Sequence, residues 1–175
     1  MSTPLEGSSR SNAGLPQLGT VLDFMRTMWA LDHALQRASK RMEARLGVTG
    51  PQRLVIRVVA RFPGMHAGQL AELMHVHPST LTGIMKRLER QGLLSRRADP
   101  RDRRRVLLGL TRKGRELDID SEGTVEAAVR IALSELSKPK IRSTAEVLGR
   151  IRTSLERLDP VPHHVNFRVP DGHAK

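Results

Sequence analysis

Three hydroxyls and a run of guanidinium groups are the side chains of this sequence best suited to chemistry, and that chemistry is recognition. In His77-Pro-Ser-Thr-Leu-Thr82 the hydroxyls of Ser79, Thr80 and Thr82 cluster where Pro78 is placed to open a helix. Hydroxyls and open amides at a helix N-terminus suit phosphate oxygens and base edges. From Lys86 to Arg115 the chain then carries twelve basic residues against three acids (Glu89, Asp99 and Asp102), so this stretch holds +9 of the formal charge of +12. Such a concentration selects a polyanionic partner. A generic solvated basic surface would explain the composition, but not its placement on one helix and one hairpin. With no Tyr, three Phe and one Trp, the chain lacks an aromatic platform for stacking RNA bases, and double-stranded DNA is the expected polyanion.

Bond-making chemistry has little to work with. A nuclease needs converging carboxylates to hold a metal, whereas the basic stretch offers only Asp99 and Asp102 among arginines. No nucleophile–base pair or phosphate-cradling loop stands out, so the chain is not expected to be an enzyme. The absence of cysteine excludes disulfides, thiolate metal sites and thiol redox switches. His66, His75 and His77 lie close in sequence but without the spacing of a ligand set, and are read as structural. His163, His164 and His173 fall in the C-terminal tail. No cofactor or metal is expected. The first twenty residues are polar, without the apolar run of a signal peptide, and no segment approaches the roughly twenty apolar residues that span a bilayer. No membrane partner and a cytoplasmic location follow as expectations.

The elements that must position these side chains follow from periodicity and punctuation. Residues 1–17 and 159–175 read as tails around a single domain of residues 18–158. A long helix is predicted from Leu18 to Leu46, ended by Gly47, with Val21, Met25, Met28, Leu35, Met42 and Leu46 on a 4–3 pattern. A second opens at Thr49-Gly-Pro51, buries Leu54, Val55, Val58, Val59 and Phe62, and stops at Pro63-Gly64. The third spans His66 to Met74, with Leu70, Leu73 and Met74 inward. The fourth runs from Pro78 to Gln91, with Leu81, Ile84, Met85 and Leu88 inward and Gly92 closing it. The hairpin follows, its second strand showing Val106, Leu108 and Leu110 in alternation and its turn at Asp99-Pro-Arg-Asp102. One helix is predicted from Arg112 to Ser137, and a last one carries Ile141, Ala145, Leu148, Ile151, Leu155 and Leu158. A helix beside a cationic hairpin is a two-point grip on duplex DNA. The long outer stripes exceed what one small core needs, and their simplest use is an intertwined homodimer on a pseudo-palindromic operator.

Five blocks of this sequence resemble the multiple-antibiotic-resistance regulator (MarR) family of bacterial winged-helix factors: Gly68-Gln-Leu-Ala-Glu-Leu73, Ser79-Thr-Leu-Thr82, Arg87-Leu-Glu-Arg-Gln-Gly-Leu-Leu94, Asp99-Pro-Arg-Asp-Arg-Arg104 and Leu110-Thr-Arg-Lys-Gly114. The resemblance covers about Leu22 to Leu158. It implies a mainly α fold with a small β-wing: a winged helix-turn-helix of about residues 48–111, flanked by dimerisation helices of about 18–46 and 112–158. It also implies a DNA affinity changed by a small ligand. Carried onto this chain, it puts Ser79, Thr80 and Thr82 at recognition-helix contacts and Asp99, Arg101, Asp102, Arg103 and Arg104 at the wing tip. The expected DNA-contacting set is therefore His77, Pro78, Ser79, Thr80, Thr82, Lys86, Arg87, Arg97, Arg101, Arg103 and Arg104. Two positions depart from the common family pattern: Gly83 stands where many relatives carry a polar reader, and Lys86 replaces a frequent Asp.

A control site is less sharply marked. Arg26, Trp29 and His33 fall within about 60° of one another on the first helix, and Arg53, Arg57 and Arg61 form an i, i+4, i+8 stripe on the second. Family pockets lie where these helices meet the dimer lobe, so Arg26, Trp29, His33, Arg53 and Arg57 are candidates to hold an aromatic carboxylate effector. The plainer reading makes Trp29 dimer core and the arginines a solvated face. The expected function is a homodimeric repressor released by an anionic aromatic ligand. The alternatives are a metal-responsive regulator of the same fold and a non-specific architectural DNA-binding protein.

Overall fold

The computed structural model describes residues 18–100, 102 and 105–158. The expected tails, and Arg101, Arg103 and Arg104, lie outside the described residues. The order of elements is α1 (Thr20–Leu46), α2 (Gly50–Arg61), α3 (Ala67–Met74), α4 (Pro78–Arg90), β1 (Leu94–Ala98), β2 (Val106–Leu110), α5 (Arg112–Glu116), α6 (Val125–Ser134) and α7 (Lys138–Glu156). This is a mainly α chain with one small antiparallel sheet, as expected. It divides into two units, one ending at Ala128 and the other beginning at Val129.

Local chemistry fixes the helix ends in the first unit. Gly47 adopts the left-handed conformation (φ +71°) and its N–H donates to the Glu43 carbonyl at 2.8 Å, closing α1. Thr49 caps α2 in a reciprocal box: Gln52 N–H donates to Thr49 Oγ1 at 3.4 Å, and Thr49 N–H to Gln52 Oε1 at 2.9 Å. Gln69 Oε1 accepts from His66 N–H at 2.9 Å at the start of α3. A single core gathers Val55, Ile56 and Val59 of α2, Leu70 and Ala71 of α3, Leu81, Met85 and Leu88 of α4, and Leu93, Leu94 and Leu108 around the hairpin.

The hairpin pairs Leu94 with Leu110 through Ala98 with Val106. It is bonded to the helical body along one edge. Gly64 N–H donates to the Leu108 carbonyl, and Leu108 N–H to the Met65 carbonyl, both at 3.0 Å. At its base Thr111 Oγ1 donates to the Gly92 carbonyl at 2.7 Å. A Cβ on buried Gly114 would collide with the Leu93 carbonyl, so only glycine lets α5 start this close to the end of α4.

Three expectations need correction. The buried face of α2 comprises Gln52, Arg53, Val55, Ile56 and Val59, while Leu54 and Phe62 are exposed. The helix is rotated because two polar side chains sit inside: Gln52, bonded to Thr49 in the cap, and Arg53, which has long-range partners. On α3, Leu70 and Ala71 are buried but Leu73 is 50% exposed. The single helix predicted from Arg112 to Ser137 is instead α5, a non-helical connection, and α6. Gly123 (φ +67°) turns that connection, and Thr124 restarts the helix by accepting Ala127 N–H at 3.3 Å.

In the second unit, Ser137 precedes α7 and Pro139 lies in its first turn. Ile141 and Ile151 are half-buried, and Leu148 and Leu155 are exposed.

These placements predict different costs on one helix. Leu70→Ala should lower unfolding stability by about 2–5 kcal/mol, and Leu73→Ala by less than about 1 kcal/mol. Urea unfolding followed by circular dichroism measures both, and equal losses would contradict the assigned face.

Candidate nucleic-acid interface

The fourth helix owes its start to an imidazole. His77 has extended backbone geometry (φ −62°, ψ 141°), and its Nδ1 accepts the Ser79 N–H at 3.3 Å. The Ser79 hydroxyl lies 2.7 Å from the same nitrogen. Pro78 occupies the first turn, where a missing N–H costs nothing. Thr82 Oγ1 donates to the Pro78 carbonyl at 2.8 Å, which orients its methyl and remaining lone pairs. The left-handed residue His75 (φ +51°) makes the sharp turn from α3 into this cap.

Burying Leu81, Met85 and Leu88 decides which side chains face away. At about 100° per residue, Ser79, Gly83, Lys86 and Arg90 lie opposite that core stripe, with Thr80 and Thr82 on its flanks. All six are exposed. A Cβ on Gly83 would meet nothing within 4 Å, so the glycine leaves a gap in the outward row. Arg90 was missing from the expected set although the spacing 79-83-86-90 carried the signal.

Other cations serve the protein itself. Arg87 Nη2 donates to Glu43 Oε1 of α1 at 2.7 Å, so this expected DNA contact is engaged within the fold. Arg96 donates to the Glu89 carboxylate, tying β1 to α4. Arg97 is exposed on β1 and lines a cavity of about 400 Å³ together with residues at the end of α2 and with Arg115 of α5. In the wing, Asp99 N–H donates to the Arg105 carbonyl at 2.9 Å, and Arg105 N–H to the Asp102 carbonyl at 2.8 Å. Arg105 Nε also lies 3.3 Å from Asp102 Oδ2, so this turn carboxylate holds a neighbouring arginine.

The expected effector residues do not form one set of donors open to a ligand. Arg26, Trp29 and His33 are exposed on α1, Trp29 by 61%, and Arg26 Nη2 is 3.1 Å from Asp23 Oδ1. Arg53 is buried, and its guanidinium donates to the Leu117 and Ile119 carbonyls and to Glu126. Arg57 donates to Asp118 and Asp120. Both arginines fasten the connection between α5 and α6 to α2, and buried Arg53 is no part of a solvated face. Among the described residues no three His, Asp or Glu side chains are grouped to hold a metal.

A helix-turn-helix with an outward polar row beside a basic hairpin defines a winged-helix DNA-binding protein. Comparison with known proteins agrees. The MarR family model matches residues 46–105. The transcriptional activatory protein BadR of Rhodopseudomonas palustris is 31% identical over 117 residues, covering 65% of this chain and 67% of BadR. The homoprotocatechuate degradative operon repressor of Escherichia coli is 29% identical over 119 residues, covering 67% of this chain and 80% of the repressor. In fold, the chain is similar to MepR from the S. aureus MepR–DNA complex, with a TM-score of 0.63 and 22% identity over 78% of this chain and 99% of that one. The protein belongs to the MarR family and is a DNA-binding transcriptional regulator. No helix among the described residues is long and apolar enough to cross a membrane.

The outward row makes a direct prediction. Lys86→Ala and Arg90→Ala should each weaken duplex binding and lower the slope of log affinity against log salt by about one. Arg87→Ala should change that slope less, because its partner is Glu43. Anisotropy titrations of labelled duplex DNA across a salt series test this, and an unchanged slope for Lys86→Ala and Arg90→Ala would place this face off the phosphates.

Proposed function

We propose that the protein is a homodimeric, sequence-specific repressor, acting in the cytoplasm, whose hold on its operator is released by a small anionic aromatic ligand. The outward row of α4 carries the DNA part: hydroxyls at a capped helix start, then Lys86 and Arg90, all exposed on the side away from the core. The wing supplies the second contact through Arg97, joined by Arg101, Arg103 and Arg104, which follow it in the sequence. Guanidinium groups there suit a narrow, electronegative minor groove.

The dimer part rests on apolar surface. Leu22, Phe24, Trp29, Leu31 and Leu35 of α1 are exposed, as are Val129, Ile131 and Leu133 of α6 and Val147, Leu148 and Leu155 of α7. So many exposed large apolar side chains on the long helices are more than a soluble monomer ordinarily leaves uncovered. A second copy covering the helices of residues 18–46 and 112–158 would present two recognition helices about one helical turn apart. An architectural DNA protein needs no such ordered reading row.

The ligand part rests on α1. Arg26, Trp29 and His33 offer one stacking plane and two donors, which suits an aromatic carboxylate. The E. coli relative is named for the operon of such an acid.

Sedimentation velocity at micromolar concentration should give a dimer that prefers DNA from its own promoter region to scrambled DNA; a monomer without preference would contradict the reading. Titration with salicylate-like acids should change Trp29 emission and release the DNA together. Trp29→Phe combined with His33→Ala should reduce release without weakening DNA binding in the absence of ligand. Release unchanged in that variant would place the effector elsewhere.

A further inference from the structure

Between α5 and α6 the chain runs from Leu117 to Thr124 without helix or strand, yet three arginines from α1 and α2 hold it at successive points. Arg53, 1% exposed, donates from Nη1 to the Leu117 carbonyl and from Nη2 to the Ile119 carbonyl, both at 2.7 Å. Its Nε donates to the Glu126 carboxylate in the first turn of α6. One turn along α2, Arg57 Nη1 is 3.0 Å from Asp118 Oδ1 and Arg57 Nη2 is 2.9 Å from Asp120 Oδ1. From the end of α1, Arg45 Nη2 donates to the Glu122 carbonyl. A Cβ on Gly123 would lie 2.9 Å from Arg45 Nη1, so the left-handed turn there is shaped around that guanidinium.

A planar guanidinium fork fixes the directions of its acceptors as well as their distances. Here the acceptors are alternate backbone carbonyls and a carboxylate on the next helix. The first turn of α6 is therefore registered to α2 through side chains, rather than through regular structure in the connection. The reading helix α4 packs against that same α2. The same α2 thus bears on both the DNA-reading row and the first turn of α6.

We propose that Arg53, Arg57 and Arg45 act together as positioning residues that set the spacing between half-sites this regulator accepts. The proposal rests on the dimer reading above. Inserting one base pair between half-sites moves the second by about 3.4 Å and turns it by roughly 35°. A dimer can follow that displacement only if the reading helix moves relative to the start of α6, and the arginine clamp resists such movement.

The test uses full-length protein and duplexes that the wild type selects from a random pool, remade with one base pair removed, one added or two added at the centre. The wild type should lose about tenfold in affinity or more per altered base pair. Arg53→Met, and Arg57→Gln combined with Arg45→Gln, should reduce that loss to about threefold or less while binding an isolated half-site within about twofold of wild type. Arg53→Met empties a buried site of its donors and can fail to fold; the Arg57/Arg45 pair, at more exposed positions, then decides the matter. A folded, dimeric Arg57/Arg45 variant that keeps the full spacing penalty would overturn the clamp's role alone. A wild type that sediments as a monomer would overturn the dimer reading and this inference with it.

Discussion

A guanidinium buried inside a small protein dictates what surrounds it. Removing a charge from water is costly unless an opposite charge and further hydrogen bonds replace the solvent. Arg53 sits on the inner face of α2, so the Leu117 and Ile119 carbonyls and the Glu126 carboxylate must come to it. That requirement breaks the helix that would otherwise continue from Arg112 and turns the inner face of α2 away from Leu54. Stripping one partner from such a group typically costs about 3–5 kcal/mol, comparable to losing a large core side chain.

From α2 the consequences pass outward by packing. Val55, Ile56 and Val59 meet Leu81, Met85 and Leu88, and this contact leaves Ser79, Gly83, Lys86 and Arg90 facing away. The same core receives Leu94 and Leu108, which sets the hairpin beside the reading helix. Recognition thus depends on a few apolar residues that never meet DNA. Two basic side chains of this region, Arg87 and Arg96, also hold the framework through Glu43 and Glu89. The large positive charge is therefore divided between scaffold and partner, and composition alone overstates the partner's share.

Much of this was legible in the sequence because the signals are local. Gly47, the Thr49–Gln52 box, Pro78 and Gly92 mark helix ends through their own backbone chemistry, and the alternation of Val106, Leu108 and Leu110 marks a strand. The hydroxyl-rich start of α4 was equally visible, since its cap lies within two residues. What was hidden depends on partners more than sixty residues away. Arg53 and Arg57 form a regular stripe that looks like a solvated or ligand-facing edge until Leu117, Asp118 and Ile119 are brought to it. The break after α5 had a faint signal in Asp118, Asp120, Ser121, Gly123 and Thr124, all turn formers. The apolar residues on either side masked it by continuing a helical pattern.

We propose that α4 reads the major groove through the row opposite its core stripe. Methylation interference on a duplex selected by the protein tests it most directly, because a methyl group on guanine N7 projects into that groove. Two patches of guanine interference are expected, one per half-site and about one helical turn apart. Interference confined to adenine N3 in the minor groove, or none at all, would contradict it.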